Sequence, residues 1–341
     1  MSANFDVIDC SADQRELLAA AHALPTRPRR DLSGFFDAAR EVSGGLPARL
    51  LDTLDAFHAD GNRQGFVCLR SLPVDEASLP PTPQDVHEDD LDPMRESTLG
   101  SKEHVRERRL LDMEAWVALV TMRLGIPVGY AKNRGGAVMQ DVYPVPNPQR
   151  LTAHNTLYPL TFHTEMAYHA YQPRYLVLGC VRGDHEGTAR TLVASRSAIA
   201  DRLEPADARI LASHTVPFHV DLRFRKGEDP TVPLRIFKDD EALRYDQDLI
   251  DEAEAGVVGP SLRAFAAAAD EGAASLTLRP GDMLVIDNLR TAHSRTAFVP
   301  RFDGADRWLC RLFVLDPAGS PSEVSPGDVV PFALRPPESE A

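Results

Sequence analysis

Cysteine is scarce in this chain of 341 residues. Its four cysteines, Cys10, Cys68, Cys180 and Cys310, lie far apart and form no Cys-x-x-Cys pair. That spacing argues against a disulfide framework or a thiolate zinc site and points to a reducing, cytoplasmic setting. Positive charge is also short. Lys and Arg number 37 against 51 Asp and Glu, a net charge of −14. A general nucleic-acid binder draws its affinity from Lys and Arg on phosphates, so nucleic acid is not the expected partner. No apolar run is long enough to span a bilayer, and no basic-then-apolar leader pattern opens the sequence, so no membrane partner is expected. No internal repeat is evident either.

What is present is a chain 43% hydrophobic, enough to bury a substantial core. The first third has helical spacing over 14–22, 32–42 and 47–59, the last with Leu50, Leu51, Leu54 and Phe57 on one face. Residues 65–72 read as a strand, 73–98 as a Pro-rich, acidic loop, and 114–124 as a buried helix beginning nearer Lys102. Beyond Pro127, short strand-like runs recur at 137–143, 160–165, 175–181, 188–194, 216–224, 243–246, 275–278, 283–287 and 308–315. Helices are expected at 195–203 and 261–269. Spaced strands with turn residues between them make a sandwich or barrel, so the fold expected is mostly β with helical decoration. One domain is expected over 1–341, with a helical extension at 1–64 and a tail at 316–341.

Two histidines and one carboxylate on one face of a metal leave positions open for chemistry, the arrangement of non-haem iron oxygenases. His-x-Asp/Glu occurs at His58/Asp60, His87/Asp89, His163/Glu165 and His219/Asp221. With eleven histidines and many acids, the tripeptide alone decides nothing. In a strand, residues i and i+2 share a side; in a helix they do not. His58/Asp60 ends a helical stretch, and His87/Asp89 lies in the acidic loop. His219/Asp221, in an alternating run, is a real competitor. His163/Glu165 is favoured by what surrounds it.

The run from Phe162-His163-Thr164-Glu165 to Glu186 resembles the clavaminate synthase-like oxygenases of the iron(II)/2-oxoglutarate superfamily. So does the later block Gly281-Asp282, Asp287-Asn288, His293-Ser294-Arg295 and Arg307-Trp308-Leu309-Cys310-Arg311. The resemblance covers roughly 65–315 and runs closest to the hydroxylases of free arginine, lysine and asparagine. It implies a double-stranded β-helix (jelly-roll) core over 65–315, with iron(II), 2-oxoglutarate and O2 as cofactors and a small-molecule amino acid as partner. It also implies a place in antibiotic biosynthesis. By the same resemblance His163, Glu165 and His293 are the metal ligands and the catalytic centre, with His293 just past a strand ending at Asn288. Arg307, assisted by Thr191, would grip the distal carboxylate of 2-oxoglutarate, because a guanidinium fork matches a carboxylate where Lys cannot.

The implied substrate contacts are Glu165 on the amine, Arg311 on the α-carboxylate, Asn133, and the pair Asp246 and Asp248. Two acids one residue apart in an extended segment share a face, and a cation relieves their repulsion, so a basic side chain suits them. Arginine is the first expectation. Lysine and asparagine are alternatives, as are desaturation or cyclisation at the same iron. Asn133 departs from the Glu or Gln expected in the arginine and asparagine enzymes, which leaves the amino acid open. Gln140 reads as a structural residue. Glu165 argues against halogenation, which needs a small residue there. A non-catalytic jelly-roll binding module would not need the three ligands together with Arg307, and a zinc hydrolase would have no use for that arginine.

Overall fold

A computed structural model describes residues 7–84, 109–146, 156–221 and 230–338. His87/Asp89, and any helical start near Lys102, lie outside them. In chain order the helices are α1 (Gln14–His22), α2 (Leu32–Ser43), α3 (Ala48–Asp60), α4 (Asp112–Leu124), α5 (Arg196–Ala200), α6 (Pro205–Ser213) and α7 (Gly259–Gly272). The strands are β1 (Val7–Asp9), β2 (Phe66–Arg70), β3 (Ile126–Tyr130), β4 (Gln140–Val142), β5 (Leu160–His163), β6 (Tyr175–Arg182) and β7 (Arg190–Ser195). They continue as β8 (Thr215–His219), β9 (Thr231–Arg235), β10 (Ala274–Thr277), β11 (Met283–Asp287), β12 (Thr291–Arg295), β13 (Trp308–Leu315) and β14 (Val329–Val330).

The large sheet runs β1-β2-β11-β6-β13-β3-β14, with β4 also on β13. The small sheet runs β10-β7-β12-β5, and β8 and β9 form a separate ribbon. Side-chain alternation divides the large sheet between two cores. On β6, Leu176, Leu178 and Cys180 join the cluster that also takes Val193, Ala292 and Leu276 from the small sheet. Tyr175, Val177 and Val181 face the other way, onto α1, α2, α3 and α4. The sheets therefore pack face to face as a jelly roll, with helices covering the outer face of the large one. Helix α4 is apolar on almost every side because it is buried on almost every side. A Cβ at Gly179 would meet Met113 Sδ at 2.3 Å, so that glycine lets α4 lie directly on β6.

Several boundaries differ from the expected ones. Residues 137–143 give only the three-residue β4, and 243–246 pair through isolated bridges rather than as a strand. The helix expected at 195–203 is the shorter α5, and the first described turn of the buried helix is at Asp112. The tail is tied down. Ala170 N–H donates to Ala333 O (2.9 Å), Arg335 N–H donates to Tyr168 O (2.9 Å), and Glu338 pairs with the buried Arg244 (2.6 Å).

Candidate metal centre

Strands β5 and β12 pair antiparallel with His163 directly opposite His293, and the ring centroids are 4.2 Å apart. His293 is thus inside β12 rather than just past a strand; the turn at 288–290 is tight enough for β12 to begin at Thr291. Glu165 also arrives differently from the expected strand alternation. β5 stops at His163, and Glu165 sits on a turn that includes Met166 at φ 54°. Asn288 clamps this turn: its Oδ1 accepts from Glu165 N–H (2.8 Å), and its Nδ2 donates to Glu165 O (3.1 Å) and Pro173 O (2.9 Å). Sequence reasoning gave Asn288 no role.

The three side chains offer one donor atom each, all within 4.8 Å of one another. Glu165 Oε1 lies 3.9 Å from His293 Nε2. His163 Nδ1 bonds Thr161 O at 2.8 Å, so the proton sits on Nδ1 and the Nε2 lone pair is directed at the cluster. Burial first, then the charges of His163 and Arg311, hold His293 well below the usual imidazole range, in the neutral form that ligates. Its buried Nδ1 has no hydrogen-bond partner among the described residues. Two imidazoles and a carboxylate fit a borderline divalent cation such as iron(II).

The competitors are weaker. His219 Nε2 stands 3.9 Å from Glu254, with no third donor grouped there among the described residues. A second grouping, His185 with Asp303 and Asp306, lies away from the small-sheet histidines, and Asp306 is already taken by the N–H groups of Arg301 and Phe302.

Opposite the donors stand the arginines. Arg311 on β13 shares the inter-sheet face with Leu309 and Phe313. Its Nη1 donates to Glu165 Oε1 (3.1 Å), and its Nε and Nη2 donate to Gln140 Oε1 (3.0 and 2.6 Å). Arg307, just before β13, is 5% exposed and stacks over Phe298 at 5.7 Å. Arg295, to which the sequence pattern gave no role, stacks over the same ring at 5.4 Å. Burial and then the neighbouring Arg307 lower Arg295 to about 9. Two buried guanidiniums on one ring make a place where an anion is stabilised. Thr191 is buried on β7, directly across from Arg295. The parity of Arg295 with His293 on one strand was the signal that could have found it.

Asn133 is 1% exposed, and its Oδ1 is buried without a hydrogen-bond partner among the described residues. Asp246 forms an isolated bridge with His163. It is half-buried, and burial raises its carboxyl to about 7, with His163 pulling down and Asp248 and Asp221 pushing up. The segment is not extended as expected. Asp246 opens a turn in which its Oδ1 accepts from Asp248 N–H (3.0 Å). Asp248 is exposed and accepts from Thr161 Oγ1 (2.8 Å), so the two acids differ in burial and in partner.

Similarity to known proteins agrees with this geometry. The model of the taurine catabolism dioxygenase TauD, TfdA family matches residues 117–313. Clavaminate synthase 2 of Streptomyces clavuligerus is 40% identical over 317 residues, 90% of this chain and 91% of that protein. L-asparagine oxygenase of Streptomyces coelicolor is 32% identical over 339 residues, 96% and 94% of the two chains. A solved structure of asparagine oxygenase with Fe(II), 2S,3S-3-hydroxyasparagine and succinate superposes with a TM-score of 0.79 at 27% identity, covering 96% of this chain and all of that one.

Proposed function

Because this chain belongs to the TauD, TfdA dioxygenase family, we propose that it hydroxylates an unactivated C3 or C4 of a free L-amino acid with a basic side chain, arginine first and lysine next. It is an iron(II)- and 2-oxoglutarate-dependent oxygenase. The observation that carries the basic substrate is Asp246, an acid bridged to His163 and therefore next to the reacting centre. A cation beside it relieves the cost of keeping that carboxylate ionised.

Iron(II) with 2-oxoglutarate and O2 supplies the oxidation of a C–H bond, coupled to loss of CO2 and formation of succinate. The protein orients and excludes. His163, Glu165 and His293 hold the metal, each on a backbone fixed by strand pairing or by the Asn288 clamp. Arg307, with Thr191 nearby, takes the distal carboxylate of 2-oxoglutarate, in a buried setting where a charge-assisted fork is strong. Arg311 takes the substrate α-carboxylate, and the unpartnered Asn133 Oδ1 accepts from the substrate. Asp246, with Asp248 at the rim, receives the basic group. The four cysteines are buried and form no disulfide among the described residues, which suits the cytoplasm. No described helix is long and apolar enough to cross a membrane.

Likeness to asparagine oxygenase favours a second reading, a neutral amide substrate. A screen of free L-amino acids with iron(II), 2-oxoglutarate and O2, read by a 16-dalton gain and by succinate, separates them. Hydroxylation of asparagine with arginine and lysine untouched overturns the basic reading. Turnover without succinate overturns the oxygenase mechanism.

A further inference from the structure

We propose that Gln140 is a positioning residue that aims the Arg311 guanidinium at the substrate α-carboxylate while adding no opposing charge of its own; this rests on the role given to Arg311 above. Strand β4 is only three residues long, and its pairing with β13 puts Gln140 directly opposite Arg311. The side chain is 1% exposed. Its Nε2 donates to Ala137 O at 2.9 Å, which fixes the amide orientation. The flipped amide would point its NH2 at the donors of the guanidinium. Oε1 therefore faces Arg311 and accepts from both Nε and Nη2, at 3.0 and 2.6 Å. One edge of the fork is gripped, and Nη1 is turned toward Glu165 Oε1 at 3.1 Å. The arginine cannot swing about its long stem without breaking two bonds to one buried atom.

The identity of the gripping group matters as much as its place. A carboxylate at 140 would form a buried bidentate ion pair and neutralise the guanidinium. The amide makes the same two contacts and carries no charge. Glu165, another contact of Arg311, spends its charge on the metal when it serves as a ligand. Gln140 thus fixes the direction of Arg311 beside the centre without opposing its charge. A purely structural glutamine would join β4 to β13 equally well with any group at the end of the arginine, so the two accounts part on substrate charge.

The test measures dissociation constants by calorimetry, on protein loaded with iron(II) and 2-oxoglutarate under nitrogen. Two ligand pairs are used: L-arginine against agmatine, and L-asparagine against 3-aminopropanamide. In each pair the second ligand lacks only the α-carboxylate. The wild type is expected to prefer the carboxylated member. Gln140→Glu is expected to cut that preference about tenfold or more, because it cancels a charge-assisted bond. Gln140→Met, which removes the acceptor but adds no charge, is expected to cut it about two- to tenfold, the scale of a neutral hydrogen bond. It also serves should the glutamate variant fail to fold. Equal weakening of both members of a pair, or an unchanged ratio in both variants, overturns the proposal. So does a wild type with no carboxylate preference in either pair. A wild type that binds the asparagine pair and ignores the arginine pair sinks the basic-substrate reading instead, and the asparagine ratio still decides the role of Gln140.

Discussion

On the small sheet, the two histidines stand opposite each other on paired strands, 130 residues apart in sequence; on the large sheet, Arg307 and Arg311 come from a single strand and its approach. The small-sheet wall must stay neutral to ligate, and burial keeps His293 so. The large-sheet wall, in the proposed function, must stay charged to hold carboxylates. Glu165 belongs to both, 3.9 Å from His293 and 3.1 Å from Arg311. On the proposed reading, metal binding and anion binding rest on separate elements and should fail separately.

The sharpest break in that comparison is on the small sheet. His163→Ala and His293→Ala are each expected to abolish succinate formation and to lose iron, whereas Arg311→Lys keeps iron bound. Iron stoichiometry on purified protein reads all three. Retained activity in both histidine variants would move the centre elsewhere, with His219/Asp221 next in line.

The turn that carries Glu165 between the walls continues into His169, which packs edge-on to Tyr130 at 5.1 Å. His169 is fully buried, and burial lowers its imidazole to about 4. The unfolded state, with an ordinary imidazole, binds the proton first. Stability from this group is therefore complete above about pH 6.5 and is lost as pH falls toward 4, by up to ~3 kcal/mol. Urea unfolding midpoints between pH 7 and 4.5 should drop more steeply in the wild type than in His169→Phe. Parallel slopes would show that His169 carries no such linkage.

How much of this was legible follows from which interactions are local. The two blocks around His163 and His293 stand out as residue patterns, so the expected donor set is the one the fold brings together. Their pairing register is long-range, so β12 went unexpected and His293 was placed just past a strand ending at Asn288. Pro127, Pro217 and Pro233 hid β3 and β9 and blurred β8, because proline demotes a strand assignment; yet Pro217 and Pro233 face each other on a two-stranded ribbon that has no inner position to disrupt. Gln140 read as structural because nothing local shows that it lies opposite Arg311. Asp246 and Asp248 read as an extended pair because the turn between them depends on the bridge to His163.

The large-sheet wall is probed by Arg307→Lys. One point donor replaces a fork, and loss of a charge-assisted bond costs roughly 1.5–3 kcal/mol, or about ten- to a hundredfold in the 2-oxoglutarate KM. Iron binding should be unchanged, unlike in the histidine variants. An unchanged KM would transfer the grip to Arg295, which shares Phe298 with Arg307.

The smallest expected effect separates two acids that the sequence treats alike. Asp246 is half-buried and bridged to His163, whereas Asp248 is exposed and already accepts from Thr161. An exposed ion pair is worth little because water screens it, and a partly buried one is worth more. Asp246→Asn is therefore expected to weaken L-arginine about tenfold, and Asp248→Asn only about twofold, with L-asparagine unmoved in both. Steady-state KM values for the two amino acids measure this. Equal losses in both variants would mean that the turn at 246–249 opens to bring Asp248 inward when substrate binds. No loss in either would leave both as ordinary loop acids, and the small-sheet wall would then select the metal and play no part in choosing the amino acid.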